Sequence, residues 1–228
     1  MCADPCGDTN SSSIVDLTLV LDASGSIGYA NWSQLINFTN NLISRLNIGP
    51  SATQVAVVVF GNDAAVQFHL NLYQSADPLS AAIRRIVYTG GSTNLNDALF
   101  LVWSDIYAPG NGLRSDANRI AVIVTDGEDN VNADLTMSNA TRCKDRGIRL
   151  IAVAVGSDIN KPRLMSIASN SYDYYPVTAY SELATIVGAL AVFGKNCSVV
   201  TTVAPPTTTT TTTQNPVPTS TGRLAITN

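Results

Sequence analysis

The chain reads as an α/β protein, a doubly wound, mostly parallel six-stranded sheet with helices on both faces. Strand-length and helix-length apolar segments alternate along it, the pattern of parallel strands joined by right-handed crossovers. Val15 to Asp22 becomes nearly all apolar toward its end, as a strand buried on both faces must be. Arg119 to Thr125 and Ile148 to Val155 repeat that character, and the three runs stop at Asp22, Asp126-Gly127 and Gly156.

Residues 1–13 form a polar lead-in with Cys2 and Cys6, expected to be an arm. In the first strand Val15, Leu17, Leu19 and Leu21 alternate with Asp16, Thr18 and Val20. From Ile27 to Leu46, Trp32, Leu35, Thr39, Leu42, Ile43 and Leu46 recur at helical spacing, so one amphipathic helix is predicted. Gly49-Pro50 ends it. Gln54 to Phe60 is a β-branched run of strand length, and Ala65 to Leu70 follows after the turn Gly61-Asn62-Asp63. So tight a connection predicts an antiparallel pair with the shorter strand at an edge. His69 falls there without a partner for metal or nucleophilic work, and a structural role is expected.

Ser75 to Val87 is predicted helical, capped by Ser75 or Asp77, with Leu79, Ala82, Ile83 and Ile86 inward. The turn Gly90-Gly91-Ser92-Thr93 feeds a helix from Asn94 to Tyr107, and two glycines permit a positive φ or close backbone approach. After the strand at 119–125, Glu128 and Asp129 read as a solvated acidic loop. A helix from Ala133 to Arg146, the strand Ile148 to Val155, a short helix Lys161 to Ala168, an outer strand Tyr172 to Val177 and a last helix Ser181 to Phe193 complete the pattern. The longest apolar run, Leu183 to Gly194, is too short to span a bilayer and predicts a buried helix.

The chemistry gathers beyond the first strand. Asp22, Ser24 and Ser26 offer one carboxylate and two hydroxyls with no thiolate or imidazole beside them. That donor set suits a hard cation, Mg2+ first and Mn2+ or Ca2+ next, better than zinc or iron. Three groups do not complete an octahedron, and in open parallel sheets ligands sit beyond the carboxyl ends of strands. Gly90 to Asn94 and Ile123 to Glu128 supply the candidates, Thr93 and Asp126.

Asp22-x-Ser24-x-Ser26, then Thr93 in a Gly-Gly-x-Thr turn, then Asp126 in Thr-Asp-Gly, resembles the metal-ion-dependent adhesion site of a von Willebrand factor type A domain. The likeness is to the secreted matrix type found in matrilins and collagens. It extends to Ser-Gly-Ser-Ile-Gly, Gln-Val-Ala-Val-Val-Val-Phe and Gly-Ile-Arg-Leu-Ile-Ala-Val-Ala-Val-Gly, and Leu95 departs from it where many relatives carry a second Thr. The resemblance implies sheet order 3-2-1-4-5-6, a domain spanning 14–197, and metal ligation by Asp22, Ser24, Ser26, Thr93 and Asp126. It implies an adhesion module that engages, through its cation, an acidic residue of a matrix or cell-surface protein, or of another copy of itself.

Two other readings compete. One is a structural spacer domain with an unused metal site. The other is a metal-dependent phosphotransferase, since a strand ending in Asp before a flexible loop also opens that class; the second acid such enzymes place two residues on is Ser24 here. No Ser-His-Asp set and no GxxxxGK[ST] loop can be assembled, so no catalysis is expected.

Composition narrows partner and compartment. Of 228 residues 45% are hydrophobic and 13% charged, with a net charge of -4, which supports one core and offers no basic surface for nucleic acid. Sequons at Asn10, Asn31, Asn37, Asn139 and Asn196 point to a secreted glycoprotein. Residues 198–228, with seven consecutive threonines from Thr207 to Thr213, read as an O-glycosylated linker or tail. Met1 leads straight into Cys-Ala-Asp-Pro-Cys without an apolar leader, so the expectation is a mature fragment whose signal peptide is not in this chain. Helices in such a fold return to the amino end of the strands, which would gather Cys143, Cys197 and the arm at one pole. One of Cys2 and Cys6 is therefore expected to bond Cys197 and the other Cys143.

Overall fold

The structure is a computed structural model, and it describes residues 14–127, 129–157 and 159–192. Six strands form one sheet: β1 (Val15–Asp22), β2 (Thr53–Phe60), β3 (Ala64–Phe68), β4 (Asn118–Thr125), β5 (Ile148–Val155) and β6 (Tyr174–Val177). Their order is β3-β2-β1-β4-β5-β6, all neighbours parallel except β2 and β3. The expected architecture and strand order are therefore observed. β1 lies between β2 and β4, with Leu21 opposite both Val59 and Val124. Its carboxyl end thus opens beside those of both neighbours.

Side-chain alternation divides the sheet between two cores. Leu17, Leu19, Leu21, Val57, Val122 and Val153 face α1 (Gly28–Ile43), α2 (Ala76–Ile83) and α6 (Leu183–Val192). Val20, Val58, Phe60, Ile123 and Leu150 face α3 (Leu95–Leu101), α4 (Ala133–Asp145) and α5 (Lys161–Ile167). Every residue of β1 and β2 is buried, as crossover helices on both faces require.

Helix ends differ from expectation where long-range contacts take hold. α2 stops at Ile83 rather than Val87, because the following chain is drawn toward the β1 loop: Ile86 O accepts from Trp32 Nε1 at 3.4 Å, and Tyr88 Oη donates to Ser24 O at 2.8 Å. The helix expected from Asn94 to Tyr107 is α for its first two turns and widens into a π turn at Val102–Ile106. His69 lies just past β3, with Nε2 3.3 Å from Asp105 Oδ1.

Two expectations fall on the inner face of α4. Cys143 is a free thiol, fully buried in the second core with Sγ 3.6 Å from Leu99 O, so it is not bridged to Cys2 or Cys6. Burial pushes this thiol up to about 12 against the opposing pull of Arg146 and Lys144. Asn139 is buried as well: its amide donates to Asn96 Oδ1 at 2.8 Å and its Oδ1 accepts from Trp103 Nε1 at 3.0 Å. The nitrogen a glycan needs is inside the fold, so Asn139 is not a glycan carrier in this structure. Asn37 is exposed and Asn31 half-buried. Cys2, Cys6, Cys197, Asn10, Asn196 and the tail lie outside the described residues.

Candidate metal centre

The site starts from a carboxylate that the sheet buries. Asp22 is the last residue of β1 and fully buried. Ser24 N donates to its Oδ1 at 2.8 Å and Thr125 Oγ1, from the end of β4, to its Oδ2 at 2.6 Å. Both donors are neutral. The chain turning away from β1 sets Ser24 Oγ 3.1 Å from Ser26 Oγ, and Ser26 donates to Asp126 Oδ1 at 2.8 Å. Four of the five predicted residues are thus linked by a chain of short contacts.

Thr93 completes the group. Its loop is tied to the turn after β1 by Gly25 N donating to Gly91 O at 2.8 Å and to the β2 end by Asn94 N donating to Gly61 O at 2.9 Å. Gly90 and Gly91 have φ of +71° and +92°, and a β-carbon on Gly91 would stand 2.5 Å from Asn62 Oδ1, so glycine is required there. Gly127 carries the last step: a β-carbon on it would lie 3.6 Å from Thr93 Oγ1 and 3.8 Å from Ser26 Oγ. Both hydroxyls therefore border the same small space beside Asp126.

Several residues that hold this loop were not singled out from the sequence. Asn62 Oδ1 accepts from Ser92 N at 2.7 Å, and Asn130 brackets Thr93, accepting from its N–H and donating to its C=O, both at 3.0 Å. Tyr88 spans from Ser24 O to Gly28 N. No local pattern marks these contacts, which join residues 30 or more positions apart. Asp129 corrects the expectation of a solvated acidic loop: it is buried, accepts from Thr136 Oγ1 and lies 3.6 Å from Arg163. Glu128 is outside the described residues.

The electrostatics show what the site lacks. Burial pushes the Asp22 carboxyl up to about 6, against the hydrogen bonds from Thr125 and Ser24, and the Asp126 charge adds to the rise. Asp126 is also raised, by burial first and against its bond from Ser26. Tyr180 is buried nearby; its hydroxyl makes no regular hydrogen bond, and burial, then the charges of Asp126 and Asp22, keep it a neutral phenol. None of the four ion pairs among the described residues includes Asp22 or Asp126. Two carboxylates with hydroxyls between them and no internal cation are a donor set that a small hard divalent ion fits.

A sheet of this order with an acid and hydroxyls at the crevice where it reverses defines a metal-site α/β module. The chain belongs to the von Willebrand factor type A domain family, whose model matches residues 16–189. It is 31% identical over 185 residues to the collagen alpha-1(XII) chain of Notophthalmus viridescens, covering 80% of this chain and 20% of that one. It is 30% identical over 188 residues to integrin alpha-1 of Gallus gallus, covering 77% of this chain and 65% of that one. The chain spans a fifth or less of the length of the first collagen relatives it matches. Among solved structures, proximal thread matrix protein 1 from the mussel byssus, with a zinc-occupied adhesion-site motif, superposes with a TM-score of 0.73 at 25% identity over 79% of this chain and 48% of that one. The manganese-loaded TRAP protein of Plasmodium vivax superposes with a TM-score of 0.63 at 27% identity, covering 77% of this chain and 72% of that one.

Proposed function

We propose that this chain is an extracellular adhesion module in which Asp22, Ser24, Ser26, Thr93 and Asp126 hold a divalent cation that engages a carboxylate of a partner protein. One observation carries the reading: Asp22 is the only buried carboxylate among the described residues without an arginine beside it. Asp16, Asp129 and Asp173 are buried and each has one. A buried anion without an internal counter-charge is costly, and a bound ion removes that cost. The hydroxyls neutralise nothing, so the ion keeps charge toward solvent and favours an acidic side chain in its open position.

The relatives and structural neighbours support this choice, because collagens and an integrin share the domain and two solved neighbours carry zinc or manganese. Mg2+ is the ion this oxygen-only set fits first, with Mn2+ and Ca2+ as competitors; the zinc-bearing neighbour adds zinc to the ions to be tried. The partner is a matrix or cell-surface protein, or a second copy, and the module itself performs no catalysis.

Isothermal titration of the chain with Mg2+, Mn2+, Ca2+ and Zn2+, beside the Asp22→Ala variant, tests the metal. Heat from the parent and none from the variant is expected; equal heats from both would reject the site. A pull-down from extracellular matrix with and without chelator tests the partner. Capture that survives chelation, or metal binding with no chelator-sensitive capture, would leave a spacer domain in place of an adhesion module.

A further inference from the structure

We infer that Tyr180 is a positioning residue of the metal centre: with the cation bound, its buried hydroxyl donates a hydrogen bond to the Asp126 carboxylate and holds that ligand in place. This role rests on the cation reading above, and Tyr180 stands outside the five residues proposed there as ligands.

Five buried side-chain polar atoms among the described residues have no hydrogen-bond partner, and Tyr180 Oη is one of them. A buried tyrosine normally finds a partner for this group. Tyr107 does so: it is as buried as Tyr180, and its hydroxyl lies 2.9 Å from Asp16 O and 2.8 Å from Ile120 O. A phenylalanine at position 180 would fill the same volume in the first core, with Leu183 and Val187, and strand no donor. The hydroxyl therefore needs a use that packing does not supply.

Its neighbours point to that use. After burial, the charges that bear most on the phenol are those of Asp126 and then Asp22. On Asp126 itself burial is opposed by Ser26 first, with Tyr180 acting in the same direction, as donors to an ionised carboxylate do. Ser26 donates to Asp126 Oδ1 at 2.8 Å but is itself a proposed ligand, so of these two side chains Tyr180 is the one not called to the ion. Carboxylates that ligate a metal are in turn hydrogen-bonded, and those partners fix their orientation. A phenol O–H donated to an ionised oxygen is also charge-assisted.

The fold sets the ring there. Gly156 N donates to Val177 O at 2.9 Å, tying the end of β6 to the turn after β5. Thr178 N donates to Glu182 Oε2 at 3.0 Å, bracing the single turn Tyr180–Glu182 that leads into α6. The site thereby draws on the segment after the last strand, from which no ligand comes.

The test compares the parent, Tyr180→Phe and Tyr107→Phe. Isothermal titration with Mg2+ and with Mn2+ should show an affinity about tenfold or more lower in Tyr180→Phe and unchanged in Tyr107→Phe. Melting in chelator should rank them the other way: Tyr180→Phe no less stable than the parent, since it loses only an unpaired hydroxyl, and Tyr107→Phe less stable, since it loses a paired one. Adding Mg2+ should also shift the parent's near-UV tyrosine absorption, and the shift should shrink in Tyr180→Phe. Equal affinity or an equal shift in parent and Tyr180→Phe would overturn the role of Tyr180 and leave the cation site standing. A loss of affinity shared by Tyr107→Phe, or a lower melting temperature of Tyr180→Phe in chelator, would make the hydroxyl structural and overturn the role as well. No heat from the parent would overturn the cation reading and the role of Tyr180 together.

Discussion

Asp16 and Asp22 lie on one strand, six positions apart, and both are fully buried. They differ in what surrounds them. Asp16 receives Arg114 twice, Nε to Oδ1 at 2.8 Å and the backbone N–H to Oδ2 at 2.9 Å, and Arg114 Nη2 lies 2.7 Å from Oδ1. Asp22 receives a backbone amide and a hydroxyl, with another carboxylate as its charged neighbour. At the amino end of β1 the chain supplies the counter-charge itself. At the carboxyl end no described residue supplies it, and that difference is the ground for the proposed cation.

The same Asp→Asn change should therefore weigh very differently at the two ends. Asp16→Asn strips Arg114 of its partner in a mostly enclosed place and should cost about 3–5 kcal/mol in denaturant unfolding. Asp22→Asn in chelator should show no such cost at pH 7. If both variants lose stability equally, the contrast between paired and unpaired carboxylate is broken.

Protonation gives the next largest effect. Between pH 3.8 and about 6 the folded, metal-free chain holds a proton on Asp22 that the unfolded chain has released. Folding stability then falls as pH rises through that window, by about 3 kcal/mol at ~1.4 kcal/mol per pKa unit. Subtracting the Asp22→Asn profile from that of the parent, both in chelator, isolates this slope; a flat difference would remove the electrostatic case for the cation. Adding the cation should then offset the loss, since a ligand at a hundred times its Kd stabilises by about 2.7 kcal/mol. That gain should appear in the parent's melting temperature and vanish in Asp22→Asn.

The paired and the unpaired aspartate were not equally legible. Asp22, Ser24 and Ser26 stand in one local pattern, and Thr93 and Asp126 follow other turns, so the five residues that the fold brings together could be named as candidates before any fold was known. Arg114 could not be matched to Asp16 that way, because 98 residues separate them and no period connects them. Asn62, Tyr88 and Asn130 were hidden for the same reason. The α4 errors had a readable signal: Thr136, Asn139, Ala140 and Cys143 recur at spacings of three and four and are all buried. The polar character of the helix masks that stripe in the sequence, and both Asn139 and Cys143 belong to its inward face, where neither a glycan nor a disulfide to the arm is found.

The smallest effect tests the neutral clamp itself. Thr125 Oγ1 donates to Asp22 Oδ2 and favours the ionised carboxylate, so Thr125→Val should cost about 1–2 kcal/mol above pH 6. Below pH 6 Asp22 takes up its proton, the bond loses its charge-assisted part, and the penalty should shrink. Thr39→Val supplies the contrast, because that buried hydroxyl donates to the uncharged Leu35 carbonyl at 2.8 Å and its loss should cost the same at every pH. Denaturant unfolding of both variants in chelator at pH 5 and pH 7.5 separates the cases. If the Thr125 penalty is as insensitive to pH as that of Thr39, Asp22 is not ionised against its surroundings, and the end of β1 has no need of a cation.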